Sequence, residues 1–287
     1  MEKTDILKKL ELIENLPTLP LIVQQVQKLV ADPRSNMSQI ALIIARDQAI
    51  AARVVRLVNS AFYGFRNKIS SIQQAIMLLG LNTVKNLVIG ISVVKTFEGE
   101  RNATIFDREK FWLHSFGCAT GARLIAKKLN KDEPEDYFMA GLLHDIGILV
   151  LDQFFHDEFI AIIQQTMRTK MELTDVEKSA LGITHCEIGQ FMALKWRLPD
   201  FYALIIRHHH KPILAEFETE SSRLIGAAVH IADTKACNRG NGPGFPCTFL
   251  LHEPSLQLLG LKNGEIDEII DQVETEIKQV MLDWGVK

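Results

Sequence analysis

The chain has 287 residues, of which 47% are hydrophobic, and a net charge of −3 from 32 Lys and Arg against 35 Asp and Glu. This length and composition suffice for one large globular domain or two small ones. Basic and acidic residues are interspersed and form no basic block that would track a phosphate backbone, so nucleic acid is excluded as the expected partner. Small molecules that carry phosphate remain open as ligands.

Neither a targeting signal nor a membrane span is expected. The first nine residues lack the apolar segment of a signal peptide, and no uninterrupted apolar run reaches the roughly 18 residues that cross a bilayer. We therefore expect a cytoplasmic protein with no membrane partner. In that reducing compartment Cys118, Cys186, Cys237 and Cys247 are expected as free thiols, two of them buried, because their spacing fits neither a CxxC pair nor a zinc finger. A disulfide between Cys237 and Cys247 is the alternative.

In chain order, the segments between Gly, Pro and Asn residues carry apolar residues three, four and seven positions apart, as at 22–30. This period is helical and alternating runs are scarce, so the sequence predicts an all-α protein with about a dozen helices. Ser71 and Gln74 have capping-box spacing.

Thr184 and Glu187 have the same capping-box spacing, which places His185 in the first turn of a helix, where unpaired N–H groups favour anions. The Gly- and Pro-rich stretch 238–247 is expected as a surface loop. The stretch 266–282 is expected as a packed amphipathic helix.

Histidine is concentrated in the second half of the chain, together with two aspartates. The candidate metal ligands are His114, His144, Asp145, His185, His208, His209, His210 and Asp233. Neutral imidazoles with carboxylates suit a divalent transition metal (Fe, Mn, Ni, Co or Zn) better than Ca or Mg. Because Asp145 directly follows His144, its carboxylate can bridge two ions while the histidine binds one, and a hydroxide shared by such a pair can attack phosphorus. The sequence therefore predicts one or two ions, with Asp145 and His144 as candidate catalytic residues.

Each histidine taken alone is equally consistent with a packed or surface role. The apolar surroundings of 144–145 weigh against that interpretation, because two ionisable residues stand on a helix end otherwise suited to burial. His230 lies three residues before Asp233 on the same helix face, where it either holds that carboxylate or has no part in the site. Cys186 adjoins His185, but neighbours on a helix point about 100° apart, so Cys186 is interpreted as packing.

Several stretches resemble one known family. They lie at 16–20, 47–64, 72–80, 140–147, 185–189, 196–199 and 206–212. Together they make the chain similar to the HD-related output domain (HDOD) of bacterial signalling proteins, over about 15–235. The resemblance implies a multi-helix bundle like that of the HD-domain metallophosphohydrolases. It also implies an N-terminal helical part at 1–103 and a metal-site bundle at 104–287.

A set of metal ligands follows from the same resemblance. The superfamily order of His, His-Asp, His, a His pair and Asp falls on His114, His144-Asp145, His185, two of His208 to His210, and Asp233. The chain keeps every position of this order.

Three departures from the pattern bear on activity. Ile148 stands where the active cyclic-dinucleotide phosphodiesterases carry a Lys, and no Gly-Tyr-Pro follows the histidine run. A cation for the substrate phosphate is therefore missing, and cyclic-di-GMP phosphodiesterase activity is not expected. Gln48 replaces a proline that is common in the family, which is expected to affect only a turn or helix start.

Two functions remain open from the sequence. The first is a signal-transduction output module that binds an unknown signalling protein or a phosphate-containing small molecule and uses the metal for structure or phosphate recognition. The second is a metal-dependent phosphohydrolase acting on a nucleotide or other phosphoester. Arg207, Lys211 and Lys195 either supply the missing phosphate contact or are surface charges. Kinship of fold does not establish activity, so the module is the prediction.

Overall fold

The computed structural model describes residues 6, 8, 10, 16–32, 34–97, 105–212, 215–245, 247 and 250–286. Every regular element within these residues is a helix, which confirms the predicted all-α class. The chain divides into two compact units, Met1–Leu16 with Glu100–Ile277, and Pro17–Gly99 with Lys278–Lys287. The predicted boundary between 1–103 and 104–287 lies outside the described residues and stays a prediction.

The described part of the unit at 17–99 contains five helices, α1 (Leu21–Ala31), α2 (Met37–Arg46), α3 (Gln48–Val58), α4 (Ile72–Leu79) and α5 (Leu81–Thr96). Side chains cap the first residues of three of them, α2, α3 and α4. Asp47 accepts the N–H of Ile50 at 3.0 Å, so α3 begins at the residue that replaces the family's proline. Ser71 accepts the N–H of Gln74 at the start of α4, as predicted. The carboxylate of Asp47 therefore caps the start of α3, where no proline stands at the first position.

The unit at 100–277 contains the longer helices. These are α6 (Arg108–Lys128), α7 (Pro134–Leu143), α8 (Ile146–Phe154), α9 (His156–Thr169), α10 (Leu173–Leu181), α11 (His185–Lys195), α12 (Asp200–His208), α13 (Glu220–Asn238), α14 (Glu253–Leu259) and α15 (Asn263–Trp284), the last of which ends in the other unit. Helices α6, α7 and α13 pack against one another, and α11 packs against both α8 and α12. The predicted capping box of Thr184 and Glu187 is present and starts α11 at His185.

Two glycines allow backbones to meet on either side of His144 and Asp145. A Cβ at Gly141 would lie 2.7 Å from the backbone of Ala119, and a Cβ at Gly147 would lie 2.0 Å from the carbonyl oxygen of His185. Helix α7 therefore lies directly on α6, and α8 directly on the start of α11. This close packing brings ligands that are distant in sequence to the His-Asp pair.

One stretch of the described residues, Pro134–Phe154, is long and apolar enough by composition to cross a membrane. Its most apolar window is 89% buried within the protein, as in the core of a globular fold. The helix is also interrupted at His144 and Asp145, between α7 and α8. The stretch is therefore a core segment that carries two of the candidate ligands.

Candidate metal centre

Seven of the eight candidate ligands meet in one buried cluster. They are His114 on α6, His144 and Asp145 between α7 and α8, His185 at the start of α11, His209 and His210 after α12, and Asp233 on α13. Their side chains are at most 4% exposed, apart from His210 at 14%. His208 ends α12, is partly exposed and belongs to none of the ligand groups found in the described residues. The structure thus brings His209 and His210, and not His208, to the centre.

The carboxylate of Asp145 divides the cluster into two halves. Its Oδ2 faces Nε2 of His144 at 3.3 Å and Nε2 of His114 at 3.7 Å. Its Oδ1 faces Nε2 of His185 at 3.4 Å and Nε2 of His209 at 3.3 Å. Each oxygen therefore serves a different group of histidines, which is the arrangement expected of a carboxylate that bridges two ions.

Asp233 and His210 complete the two halves. Oδ1 of Asp233 lies 3.4 Å from Nε2 of His114, and Nε2 of His210 lies 3.2 Å from Nε2 of His185. We name the group of His114, His144 and Asp233 the first half, and the group of His185, His209 and His210 the second half. Oδ2 of Asp233 also approaches Nδ1 of His210 at 3.6 Å, so the halves are adjacent.

Backbone carbonyls fix the tautomers of three histidines. Nδ1 of His114 lies 2.7 Å from the carbonyl oxygen of Asn241, Nδ1 of His144 lies 2.7 Å from that of Gly141, and His209 makes the same contact with Ile206 at 2.8 Å. A carbonyl oxygen only accepts, so each Nδ1 carries the hydrogen and donates it. Each Nε2 therefore points a lone pair into the cluster, as a metal-binding imidazole does.

The resulting contacts between acceptors indicate a cation. The lone pairs of His114 and His144 face each other across 3.2 Å, and that of His209 faces Oδ1 of Asp145. Among the described residues, Nε2 of His209, Oδ1 of Asp145 and Oδ2 of Asp233 are buried without a hydrogen-bond partner. Buried polar atoms are seldom left unsatisfied unless an ion or a proton serves them. The donor set therefore fits a divalent metal.

Glu177 is a further residue of the candidate site, and sequence analysis missed it. This fully buried side chain on α10 accepts both Nδ1–H and the backbone N–H of His185, at 2.8 and 2.9 Å from Oε2. A carboxylate in this position orients an imidazole and increases its basicity toward a metal. Glu177 stands one helical turn from Leu173 and from Leu181, both buried, and a carboxylate in such an apolar stripe was the available signal.

The charge of each buried side chain in the cluster depends on two opposing effects. Burial disfavours the charged form, and neighbouring ionisable groups favour it. Burial disfavours the charged imidazolium of His114, but Cys118 and Asp233 beside it outweigh that effect and raise its pKa to about 10. Burial likewise opposes ionisation of Asp145, yet His144, His185 and His209 hold the pKa of its carboxyl well below the usual range. In the absence of a metal, protons therefore take the place of cations between the histidines and aspartates.

The sequence left two roles open for His230, and the structure places this buried residue beside the histidine run. Its Nδ1–H donates to the carbonyl oxygen of His209 at 2.8 Å, and its Nε2 accepts the backbone N–H of His252. It therefore holds the backbone of the histidine run and does not hold the carboxylate of Asp233. The three-residue spacing places His230 and Asp233 on one face of the helix. Nδ1 of His230, however, is already bonded to the backbone carbonyl of His209.

The cysteines depart from the expectation of four free thiols. Cys237 and Cys247 form a disulfide across the predicted loop, whereas Cys118 and Cys186 are free and buried. The disulfide closes the loop whose Asn241 carbonyl holds His114. Sγ of Cys186 lies 3.4 Å from Nε2 of His185, because both side chains are long enough to converge although their Cα–Cβ bonds diverge. Its interpretation as packing stays a prediction, although its sulfur lies beside a candidate ligand nitrogen.

The helical fold and the buried His and Asp cluster together define a helical protein with a candidate divalent-metal centre. The family described as HDOD domain matches residues 16–212, and the chain belongs to this family. This confirms the resemblance noted in the sequence. Six of the seven clustered ligands lie within the matched residues, and Asp233 lies beyond them.

Similar proteins come from several bacteria. The crystal structure of an HDOD domain protein with unknown function from Geobacter sulfurreducens has a TM-score of 0.75 and 27% identity, and the match covers 98% of this chain and 95% of that one. A "Putative phosphohydrolase" from Shewanella amazonensis SB2B has a TM-score of 0.71 and 25% identity, covering 98% and 97%. An uncharacterised protein of Treponema pallidum (strain Nichols) is 27% identical over 201 residues, which are 69% of this chain and 38% of that one. The chain thus spans well under half of this relative's length.

Proposed function

We propose that this protein is a bacterial signal-transduction output module with an HD-type metal site, which binds a signalling protein or a phosphate-containing small molecule. The observation that carries the proposal is the burial of the complete ligand set, in which only His210 exceeds 4% side-chain exposure. A centre closed to solvent holds a fold in one conformation, whereas a hydrolytic centre needs an open position for water and substrate.

Asp145 and the residues of the first and second halves would hold the metal. Bound there, a divalent transition metal, as one or two ions, supplies a Lewis acid. The chain's own part is to hold Nδ1–H of His114, His144 and His209 on backbone oxygens, so that Nε2 of each ring is directed toward the ion. Because His114 lies on α6, His144 directly after α7 and His209 directly after α12, an ion held by these three histidines would tie the three helices together.

A metal-dependent phosphohydrolase is the second candidate, and one observation favours it. The two oxygens of Asp145 face different halves, as in centres where two ions share a hydroxide. The surroundings weigh against it, because Ile148 is 1% exposed and fills the position of the expected cation with hydrocarbon. Arg207 instead pairs with Glu187 at 3.2 Å, and Lys211 lies 3.9 Å from Glu172.

The working environment is also part of the proposal. We propose a cytoplasmic protein that contacts neither membrane nor nucleic acid. Its acidic net charge of −3 and interspersed Lys and Arg support the absence of a nucleic-acid partner. In the cytoplasm the pair of Cys237 and Cys247 is subject to reduction by cellular thiols.

The experiment that separates the two candidates measures stability and turnover on the same metal-loaded preparation. We expect Zn²⁺ or Mn²⁺ to raise the melting temperature of the metal-free protein by mass action. Hydrolysis of cyclic-di-GMP and of bis(p-nitrophenyl) phosphate is expected to equal the background given by the Asp145→Ala variant. Turnover that exceeds this background and disappears in Asp145→Ala would place the phosphohydrolase first.

A further inference from the structure

Each half of the metal centre contains one thiol in addition to its histidines and carboxylates. Cys118 lies one turn after His114 on α6, and its Sγ is 3.6 Å from Nε2 of that histidine. Sγ of Cys186 lies 3.4 Å from Nε2 of His185. Sγ of Cys118 also lies 3.9 Å from Nδ1 of His114, so it is closer to the nitrogen that points into the cluster.

Distances within each half match a shared coordination sphere. The ligand atoms of His114, Cys118, His144 and Asp233 lie within 4.8 Å of one another. The same limit holds for His185, Cys186, His209 and His210. Ligand atoms about 2.0–2.3 Å from one ion at tetrahedral angles are separated by roughly 3.3–3.8 Å. The two distances from sulfur to Nε2, 3.6 Å for Cys118 and 3.4 Å for Cys186, fall in this interval.

We infer that Cys118 and Cys186 are metal ligands, one in each half, and that the centre is a mixed His, Asp and Cys site. This inference rests on the proposed metal site and names two further ligands for it. As each metal–sulfur bond forms, the thiol releases its proton to solvent and the freed electron pair of sulfur becomes the bond. A coordinating thiol is deprotonated in this way whatever its acidity without the metal.

Two consequences follow from thiolate ligands. Soft sulfur donors shift the preference of the centre toward zinc, iron and cobalt and away from manganese. With Asp145 counted in both halves, each ion would have five protein donors available. Few positions then remain for water, which agrees with a closed, structural centre.

Packing alone is the competing explanation for the two thiols. Cys118 also contacts the small residues Ala232 and Ala236 in the core, where a cysteine serves as a small apolar side chain. Packing and coordination differ in one measurable property, because only a coordinating sulfur transfers charge to the metal.

The test is the optical spectrum of the intact protein reloaded with Co²⁺, with bound cobalt counted by elemental analysis. We expect a thiolate-to-cobalt charge-transfer band in the near ultraviolet. Cys118→Ser and Cys186→Ser should each remove about half of its intensity, and the double variant all of it, while serine preserves the size of the side chain. Cys237→Ser/Cys247→Ser removes the two cysteines outside the cluster, and its band per bound cobalt should equal that of the wild-type protein even if the first half then holds less cobalt.

The outcomes separate this inference from the proposal beneath it. Cobalt bound in stoichiometric amount without a charge-transfer band overturns the thiolate ligands but leaves the metal site intact. No cobalt bound at all contradicts the proposed metal site itself. Loss of the band per bound cobalt in the Cys237→Ser/Cys247→Ser control would also overturn the assignment. If a serine variant does not fold, X-ray absorption of the zinc-loaded wild-type protein tests the inference without a variant. Zinc–sulfur bonds in the spectrum support the thiolate ligands, and their absence overturns them.

Discussion

The two halves of the cluster present similar ligands but are held in place differently. In the first half, the Nδ1–H of His114 donates to a backbone carbonyl in the loop that the disulfide closes. In the second half, His185 donates to the buried carboxylate of Glu177. A carbonyl orients an imidazole, whereas a carboxylate also increases its basicity. His114 in the first half therefore depends on a loop, and His185 in the second half on a single side chain of α10.

The largest effect is expected where both halves fail together, at the contact between α8 and the start of α11. Gly147→Ala places a Cβ 2.0 Å from the carbonyl oxygen of His185, and backbone must move to relieve the clash. We expect unfolding free energy to fall by more than about 3 kcal/mol and metal retention to be lost. Urea denaturation and elemental analysis measure the two effects. Gly264→Ala is the matched control, because nothing lies within 4 Å of a Cβ there, and an equal loss in both variants would contradict the role of Gly147.

The first half is tested through its loop. Cys247→Ser opens the disulfide with Cys237, which closes a loop of 10 residues' separation. We expect a loss of about 2–3 kcal/mol of unfolding free energy under oxidising conditions, because a short closed loop constrains the unfolded chain. The first metal equivalent to leave on titration with a chelator should come from the half that holds His114. Wild-type protein treated with a dithiol is the control, and the account is contradicted if it remains as stable as the oxidised form.

The second half is tested through its carboxylate. Glu177→Gln keeps the shape of the side chain but weakens its hold on Nδ1–H of His185. Metal affinity of that half should fall about 10- to 100-fold, as for other partners of ligating histidines. Isothermal titration with Zn²⁺ should resolve one weakened and one unchanged step. Two equally weakened steps would mean that the halves are not supported separately.

The dependence on pH sharpens the comparison further. The pKa of His114 is raised to about 10 in the metal-free protein, so its contribution to stability is fully present below the unfolded value of about 6.5 and is lost as pH rises toward 10. A bound metal replaces that proton and does not leave as pH rises. Stabilisation by metal should therefore grow between pH 6.5 and 8.5, by up to about 1.4 kcal/mol per pH unit for each displaced proton. Thermal unfolding with and without Zn²⁺ measures this, and a flat difference would contradict it.

The sequence predicted features that depend on local pattern or on family resemblance. The helical class, the capping box of Thr184 and Glu187, and the start of α11 at His185 follow from spacing within one turn, and the structure confirms them. The HDOD family was evident from the dispersed motifs. These signals are readable because each is contained in a short stretch of chain.

Features that depend on tertiary packing were not predicted. Asn241 lies 127 residues from His114, and its contribution is a backbone oxygen, which no residue type encodes. The selection of His209 and His210 over His208 depends on how the chain turns after α12. The disulfide was the lesser alternative, because compartment chemistry argued for free thiols while the loop geometry brings the two Cα atoms to 5.5 Å.

Metal content tests the central claim, that the His and Asp cluster is a divalent-metal centre, most directly. Elemental analysis of protein purified without chelators, and again after reloading, should find one or two ions of Fe, Mn, Ni, Co or Zn per chain. Asp145→Ala should retain little, because its carboxylate serves both halves. Less than about a tenth of an equivalent in the wild-type protein after reloading would contradict the account.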